Sequence, residues 1–275
     1  MRRSLNSGFG RLFSILAVGI LVLCSIYPIY WMVIASTLPT SEIFTSQVPG
    51  GAFLDNLGIL LESMPFWRIL FNSLFVALAV TGSTVFFGAL AGYAFTQFEF
   101  KGRNVLFVLV LLTMMLPIQI TLVPLFIIMN NLGWIDSYLA LIVPFLVTPF
   151  SVFFMRQQLL SFPRELVESA RIDGASEMRI FLTIVLPTIK AACAAVAIVT
   201  FTQQWGNFIY HLVVLSSREM YTVPLMLSML VQPGYVTQYG AVMVAAVLGL
   251  VPMVAIFLMF QRYFLSGALA GAVKG

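Results

Sequence analysis

The feature that most constrains the fold is a series of six apolar runs, each of about 20 residues or more, the length that crosses a bilayer. Of the 275 residues, 61% are hydrophobic and only 9% are charged, and the mean hydropathy is +1.03. A soluble domain has roughly a quarter of its residues charged. The sequence therefore predicts an all-α membrane protein with six transmembrane helices, at about residues 13–36, 72–95, 105–129, 138–160, 188–210 and 240–264.

Two further stretches need separate interpretation. The first run follows MRRSLNSGFGR, which resembles the basic start of a signal peptide, but the run is too long for a cleaved signal and lacks a convincing cleavage site. We interpret it as a first helix that is retained. The apolar run Tyr221–Val231 is too short to span and predicts an interfacial or re-entrant segment.

The distribution of basic residues predicts the orientation. With the N-terminus in the cytoplasm, 12 of the 14 Lys and Arg residues lie on the cytoplasmic side, and only Arg68 and Arg218 lie outside. Both termini are therefore predicted to be cytoplasmic, in a multi-pass protein of a bacterial or archaeal plasma membrane. Because the basic residues are topology signals rather than one basic face, nucleic acid is not an expected partner.

The chain carries no recognisable source of energy. No predicted span has an Asp or Glu in its interior, as an ion-coupled carrier would need, and no phosphate-binding glycine-rich loop is present. His211 has no acidic or cysteine neighbour and is interpreted as a polar group at the outer interface. Cys24 and Cys193 both lie in apolar runs, which argues against a disulfide framework or a cysteine metal site. Energy for uphill transport would have to come from another protein.

Charge is concentrated in one predicted cytoplasmic segment, RELVESARIDGASEMRIFLTIVLP, which has seven charged residues in its first sixteen positions. Glu168 and Arg171 are spaced to pair along a helix, Gly174 can end that helix, and Ser176 can cap a second one. The pattern predicts a helix–turn–helix knob that docks into a partner's groove, with a plain solvated loop as the alternative. Its apolar stripe consists of Pro163, Leu166, Val167 and Ala170.

The same segment resembles the coupling motif E-A-A-x3-G-x9-I-x-L-P of membrane subunits of ATP-binding-cassette importers. The matching residues are Glu168, Ala170, Gly174, Ile184, Leu186 and Pro187, and only Ser169 departs, in place of Ala. Other segments, such as YAFTQFEFKGR and MLPIQITLVPLF, resemble the carbohydrate-uptake branch that contains the maltose permease, over about residues 67–275. One departure is WGNF at residues 205–208, where relatives commonly show W-N-[DE]-F.

The resemblance implies a type I importer permease fold and a role as half of a sugar translocation pathway. It implies as partners a second, distinct permease subunit, two cytosolic ATPases and an extracytoplasmic solute-binding protein. No cofactor is expected on this chain, since ATP and Mg²⁺ would be bound by the ATPases, and the chain itself would not be an enzyme. In the loop, Glu168 would be a rim contact, Ala170 a close-packing residue, Gly174 the turn, and Ile184, Leu186 and Pro187 the anchor to the fifth span.

These inferences divide the chain into three parts. Residues 1–71 form a first span and an outer loop, and the stretch 37–71 is either a docking place for an external binding protein or a plain loop. Residues 72–264 form the importer transmembrane domain, with the coupling loop at 163–187. Residues 265–275 form a cytoplasmic tail, which the resemblance also directs to the ATPases.

Neutral amides and an aromatic ring on the fifth span suit recognition of a sugar, because they offer donors, acceptors and a stacking face. The same amides would serve equally for hydrogen bonds between helices. The candidate path residues are Gln119, Thr200, Gln203, Gln204, Trp205 and Asn207.

Small residues and prolines predict features of the spans. The Gly88–Gly92 string GALAG predicts close approach of another helix, whereas its repeat at residues 267–271 predicts flexibility in the tail. The prolines of MLPIQITLVP, Pro117 and Pro124, predict bends in the third span.

Other functions remain open at this point. A polyol or glycerol phosphoester is an alternative substrate, because related permeases carry such solutes. Two alternatives of other classes are a structural subunit of a membrane complex, which leaves the ordered motif unexplained, and an intramembrane enzyme, for which no ionisable groups converge.

Overall fold

The computed structural model describes the backbone of residues 2–231 and 237–272, with side chains for residues 10–231, 237–259 and 261. Throughout these residues every regular element is helical, which confirms the predicted all-α class. Two 3-10 turns, Val143–Phe145 and Arg218–Met220, and a π-helical turn, Phe181–Val185, accompany the α-helices. The α-helices are α1 (Arg2–Ser36), α2 (Phe53–Ser63), α3 (Phe66–Gln97), α4 (Arg103–Met114), α5 (Ile118–Asn131), α6 (Tyr138–Ile142), α7 (Pro149–Leu159), α8 (Arg164–Ile172), α9 (Glu177–Ile180), α10 (Leu186–Thr188), α11 (Lys190–Trp205), α12 (Ile209–Val214), α13 (Val223–Leu230) and α14 (Tyr239–Ala272).

Four of the six predicted spans are long apolar helical stretches in the described residues, and two are bent pairs. The four are Gly10–Ser36, Phe66–Gln97, Tyr138–Leu159 and Tyr239–Met259. The described part of the chain thus contains four candidate spans, or up to six if each bent pair counts as one.

The predicted third and fifth spans are the bent ones. α4 and α5 meet at 103°, and the segment Glu177–Thr188 meets α11 at 80°. Pro117 precedes α5 with an extended backbone (φ −61°, ψ 135°) and has no N–H to continue the helix. Ile189, at the second bend, leaves helical geometry with φ −91° and ψ 20°. The third span is therefore broken outright at the proline, which is more than the predicted bend.

The chain divides into two compact units, Met1–Phe66 with Leu227–Leu250 and Trp67–Met226 with Val251–Gly275. In the first unit, Ile34, Ala35, Leu38 and Ile43 form a small buried cluster. The buried amide of Asn56 donates to the carbonyl oxygens of Ser36 (3.0 Å) and Leu38 (2.9 Å). These bonds fix the turn at the end of α1, where the chain leaves the first span.

The first span itself has an apolar surface that the chain does not cover. None of the most apolar 18-residue stretch of Gly10–Ser36 is buried. A helix that is apolar on all sides and exposed within its own chain is stable only in lipid or against another apolar surface. The observation agrees with a helix that spans the membrane, and its retention stays a prediction.

The second unit is built around one buried cluster, which joins α3, α7 and α11 to the segment between α7 and α11. The predicted cytoplasmic loop is therefore packed onto membrane helices and is not a free connection. We call this set the central cluster; its buried members are Ala89, Tyr93, Met155, Leu159, Phe162, Val167, Ala170, Ile180, Phe181, Val185, Ile189, Ala192 and Val196.

The glycines of the first GALAG string explain how closely α3 and α7 approach. A Cβ atom on Gly88 would lie 2.5 Å from the Oγ of Ser151, and one on Gly92 would lie 2.8 Å from the backbone nitrogen of Arg156. Such distances leave no room for a side chain. The predicted packing role of this string is confirmed.

The predicted tail, residues 265–275, continues α14 as a helix as far as Ala272. The second GALAG string therefore lies in regular helix, which differs from the flexibility predicted for it. Since α14 begins at Tyr239, its last turns can project beyond the bilayer without a break. Residues 273–275 and the side chains of Arg2, Arg3, Arg262 and Lys274 lie outside the described residues.

Candidate functional site

The first candidate site is the segment 163–187, which we call the elbow. α8 starts after Pro163, whose backbone is extended, and it ends at Ile172, where the chain turns through Gly174 with φ +79°. The N–H of Ala175 donates to the carbonyl of Ala170 (3.0 Å) and that of Gly174 to the carbonyl of Arg171 (3.0 Å). This pair of bonds is the Schellman arrangement that closes a helix through a left-handed residue. The predicted helix end at Gly174 is therefore observed.

The predicted apolar stripe of α8 does not face outward as a whole. Val167 is fully buried and Ala170 is 8% exposed, and both belong to the central cluster. They attach the elbow to its own membrane helices and are covered by the chain itself. Leu166 is half-exposed and Ile172 is 86% exposed, so the apolar surface that a partner could contact lies at these residues instead.

The predicted ion pair between Glu168 and Arg171 is replaced by a different one. Arg171 contacts Glu177 across the Gly174 turn, with 2.6 Å between Nε and Oε1 and 3.2 Å between the second guanidinium nitrogen and Oε2. The i,i+3 spacing is favourable within a helix, but the tight turn brings a second acid to the guanidinium in a bidentate geometry, which is the stronger arrangement. Glu168 remains exposed, as does Ser169.

The second half of the elbow leads into the fifth span. Ser176 occupies the position before α9, but its side chain makes no capping hydrogen bond, contrary to the prediction. Ile184 and Leu186 are half-buried and pack against the central cluster, whereas Pro187 is exposed at the 80° bend into α11. The two apolar motif residues thus pack on the helices of the central cluster, and their role as an anchor to the fifth span stays a prediction.

The second candidate site is a cavity of about 640 Å³, which we call the polar cavity. It brings together four of the six predicted path residues, although Gln119 is far from the others in sequence. The start of α5 faces the end of α11 because the chain breaks at Pro117 and again after Trp205. The lining residues are Ile118, Gln119, Leu122, Phe145, Thr148, Gln203, Gln204, Gly206, Asn207, Phe208, Ile209 and Tyr210.

Gln204 is the most buried of the amides that line this cavity, whereas Gln119 and Gln203 are exposed and Asn207 is half-buried. It is 8% exposed, and its Oε1 atom has no hydrogen-bond partner. An unpaired buried acceptor is costly and is usually satisfied by water or a ligand. Gln204 is thus an acceptor poised for a hydroxyl donor.

Two predicted path residues lie elsewhere. Thr200 is buried, and Trp205 is 7% exposed and stacks on Phe201 with 5.6 Å between ring centroids. Neither lines the polar cavity. The residues Thr200, Gln203, Gln204 and Asn207, at i, i+3, i+4 and i+7, were expected on one face of the fifth span. The first three lie on α11, but Asn207 lies beyond its end at Trp205, and Thr200 faces inward.

Sequence reasoning missed the aromatic residues of the cavity, Phe145, Phe208 and Tyr210. Phe145 and Tyr210 meet edge to face at 5.1 Å, and the Tyr210 hydroxyl donates to the carbonyl of Ala140 (2.8 Å). A cavity with amides on one part and aromatic rings on another can bind both the hydroxyls and the apolar face of a sugar ring. The nearby WGNF string was the available signal, since it places Phe208 beside Asn207.

A second cavity, of about 670 Å³, is almost entirely apolar. It lies between α3 and α11 and includes Leu186 and Pro187 of the elbow, with Lys190 the one charged residue in its lining. It lacks the amides and convergent acceptors that distinguish the polar cavity. The polar cavity is therefore the better candidate for a path taken by a hydroxylated solute.

On the predicted outer side, Asp136 organises the connection after α12. Its Oδ1 accepts from the backbone N–H groups of Ser216 (2.9 Å) and Ser217 (3.1 Å). Burial alone would raise the pKa of Asp136, but these hydrogen bonds outweigh it and lower the pKa below its ordinary value of 3.8. The carboxylate is a structural acceptor.

His211, predicted as an interfacial polar group, is in fact 1% exposed. Its Nδ1 lies 3.0 Å from the Oγ1 of Thr222, and burial lowers the pKa of the imidazole to about 4, so the ring is neutral at physiological pH. No group of three or more potential metal ligands occurs in the described residues. The arrangement suits a packed, neutral histidine.

Comparison with known proteins gives a consistent pattern. Residues 84–268 match the family described as the binding-protein-dependent transport system inner membrane component. The chain is 40% identical over 261 residues to the arabinooligosaccharides transport system permease protein AraQ of Bacillus subtilis, an alignment that covers 93% of this chain and 92% of the relative.

The names of two other relatives give different transported solutes. The lactose transport system permease protein LacG of Rhizobium radiobacter is 35% identical and covers 91% of each chain. The sn-glycerol-3-phosphate transport system permease protein UgpE of Yersinia enterocolitica is also 35% identical, with 92% of each chain covered.

Among solved structures, the fold resembles a chain of a bacterial ABC transporter involved in the import of the acidic polysaccharide alginate. The TM-score is 0.83 at 22% sequence identity, over 93% of this chain and 96% of the other. At this identity the likeness concerns the fold, and it agrees with the fold that the sequence predicts.

Proposed function

Since the chain belongs to the family of binding-protein-dependent transport system inner membrane components, we propose that it is a membrane permease subunit of an ATP-driven sugar importer. The observation that carries the proposal is the near-complete alignment with permeases of oligosaccharide and lactose transport. In this role the chain forms half of the translocation pathway and hydrolyses no ATP itself. Partner ATPases bind the ATP and Mg²⁺, and this chain holds no cofactor.

The polar cavity supports a neutral sugar over a phosphoester. Its described lining offers amides, a threonine hydroxyl and aromatic rings but no Lys, Arg or His. Proteins generally bind phosphate groups with cationic side chains or helix N-termini, which provide charge-assisted hydrogen bonds. Asn207, at the position where the resemblance predicts an acid, keeps this part of the wall uncharged. Import of sn-glycerol 3-phosphate remains the second candidate because of the UgpE relative.

The elbow supports the partner assignment. Its exposed residues, among them Glu168, Ser169, Leu166 and Ile172, form a charged surface with apolar points that suits a protein groove. We assign this surface to an ATP-binding-cassette ATPase. A second permease subunit completes the pathway, and an extracytoplasmic binding protein delivers the sugar. The elbow and both termini then face the cytoplasm of the plasma membrane.

The test is uptake by a host strain that lacks this chain, complemented with the wild-type gene. The labelled probes are an arabino-oligosaccharide, lactose and sn-glycerol 3-phosphate. Uptake of either sugar that is restored only by the wild-type gene supports the proposal. Restored uptake of the phosphoester alone would favour the second candidate, and no restored uptake of any probe would contradict an importer of these solutes.

A variant in the cavity links the uptake to this chain's own residues. Gln204→Leu preserves side-chain size and removes the free acceptor, so it should raise the KM for sugar uptake by roughly tenfold, the value of one hydrogen bond to a buried polar group. Gln157→Leu is the matched control, because Gln157 is an exposed residue of α7 outside the cavity lining. An equal KM for both variants would show that Gln204 does not contact the sugar during transport.

A further inference from the structure

Three side chains from three separate elements meet beside the elbow. The hydroxyl of Tyr93, near the end of α3, donates to the Oε2 atom of Glu177 (2.7 Å). The same carboxylate receives both contacts from Arg171, at 2.6 and 3.2 Å. We call Tyr93, Arg171 and Glu177 the latch.

The latch joins two residues that are close in the sequence, Arg171 and Glu177, to a distant one, Tyr93. Arg171 lies in the last turn of α8 and Glu177 begins α9, so their ion pair closes the elbow across the Gly174 turn. Tyr93 then attaches the closed elbow to α3, from which it is separated by 84 residues at the Glu177 contact. The ring of Tyr93 is only 2% exposed and lies 5.7 Å from that of Phe181, so its hydroxyl is held in place by packing.

The small energy of these interactions indicates that the latch does not serve mainly to stabilise the fold. The side chains of Arg171 and Glu177 are 36% and 41% exposed, and an ion pair this open to solvent contributes little to folding stability. The central cluster already holds the elbow in place through Val167 and Ala170. What the latch adds is direction, because the two contacts between Arg171 and Glu177 fix the angle between α8 and α9, and the one hydrogen bond from Tyr93 fixes Glu177 relative to α3.

α3 is also held at its opposite end. The amide of Asn72 donates to the carbonyl oxygens of Glu219 (2.7 Å) and Tyr221 (3.0 Å), and the Oγ of Ser73 accepts from the N–H of Val223 (2.7 Å). Residues 72 and 93 are separated by about 32 Å of continuous helix. A rotation imposed on the elbow would therefore be carried by a stiff rod to the segment before α13.

We propose that Tyr93, Glu177 and Arg171 are positioning residues that transmit movement of the elbow to α3. The inference rests on the proposed function, since the movement would be imposed by partner ATPases. It goes beyond that function by assigning the mechanical connection to Tyr93 of α3 and to two elbow residues at positions that the coupling motif leaves unspecified. Breaking the latch uncouples ATP hydrolysis from uptake without dissociating the complex.

The first measurement is amide hydrogen exchange of residues 164–180 in the full complex, purified through this chain and placed in lipid nanodiscs. Tyr93→Phe keeps the packed ring and removes only the hydroxyl, and Glu177→Gln removes the charge. Both should speed exchange of this segment by about tenfold, because lost hydrogen bonds favour local opening. Tyr30→Phe and Glu99→Gln are matched controls at exposed positions outside the elbow and should leave this exchange unchanged.

The second measurement compares ATP hydrolysis with uptake of whichever labelled probe the wild type imports. For the latch variants, uptake per ATP should fall about tenfold while hydrolysis stays within about twofold, which is the pattern of an interaction used only in transmission. A purely structural role would lower both activities together. The reversed pair, Arg171→Glu with Glu177→Arg, should recover part of the coupling that Glu177→Arg alone loses.

The outcomes separate the latch from the proposed function. Unchanged exchange in Tyr93→Phe, or an unchanged ratio of uptake to hydrolysis despite faster exchange, would overturn the latch even though the importer works. A wild-type complex that imports none of the probes would contradict the proposed function instead. In that event the exchange measurement still decides whether the tether to α3 exists.

Discussion

At the scale of single residues, Gly174 sets the geometry of the elbow. Its φ of +79° lies in the left-handed region, and no atom lies within 4 Å of where a Cβ would be. The requirement for glycine is therefore conformational and not steric. Any L-residue other than Asn or Asp adopts this conformation at a cost of roughly 1–2 kcal/mol, and a β-branched residue at more.

This predicts that Gly174→Val abolishes uptake while the protein still inserts. The change would force the turn out of the Schellman arrangement and misdirect α9, but it leaves every apolar span intact. Uptake assays combined with immunoblots of membrane fractions measure both effects. Gly174→Asn is the control and should keep most of the uptake, since Asn tolerates the left-handed region. Normal uptake by the valine variant would mean that the turn has no mechanical role.

Asp136 makes a prediction about pH. Because hydrogen bonds lower its pKa in the folded protein below 3.8, its carboxylate stabilises the fold above pH 3.8. That contribution is lost as the pH falls through the lowered value of the folded state. The thermal midpoint of the wild type in nanodiscs should therefore drop more steeply below pH 3.8 than that of Asp136→Asn. Parallel curves for the two proteins would show that Asp136 contributes nothing to acid sensitivity.

At the scale of elements, the contact between α3 and α7 leaves no room for a side chain at two glycines. A Cβ on Gly92 would also lie 2.9 Å from the backbone carbon of Met155, so even alanine requires one helix to move. Gly82 of the same helix has nothing within 4 Å of a Cβ position. The two glycines thus separate the effect of packing from that of helix propensity.

We predict that Gly92→Ala lowers the thermal midpoint of the purified protein, whereas Gly82→Ala keeps or raises it. Overpacking costs typically 1–3 kcal/mol, roughly, while alanine is favoured over glycine in a helix by about 1 kcal/mol. Differential scanning fluorimetry in lipid nanodiscs can compare both variants. If Gly92→Ala is as stable as Gly82→Ala, the close approach of α3 and α7 is not maintained in the membrane.

The same elements show what the sequence could and could not predict. Apolar runs, the Gly88–Gly92 spacing and the glycine at the end of α8 are local signals, so helices, close packing and the turn followed from them. The inward side of Val167 and Ala170 depends on how α8 packs against the membrane helices, and the choice of Glu177 over Glu168 as partner of Arg171 depends on the turn at Gly174. Gln119 and Gln204 line one cavity because the chain leaves helical geometry at Pro117 and after Trp205, and only the proline was a sequence signal for such a break.

At the scale of the whole molecule, the chain combines a cavity that a solute could enter with a surface that a partner protein could contact. The described residues contain a polar cavity without charged groups, an elbow packed on membrane helices, and no cluster of potential metal ligands. The family match agrees with a permease that works together with other proteins. The central claim is that force enters through the exposed surface of the elbow.

The most direct test is a photo-crosslinking amino acid placed at Ser169, an exposed residue of α8, in intact cells. A matched probe at Ser25, on the exposed first span, controls for proximity in the membrane. The account predicts that Ser169, and not Ser25, captures an ATP-binding-cassette ATPase identified by mass spectrometry. Capture of no ATPase from Ser169, in cells where uptake is active, would contradict it.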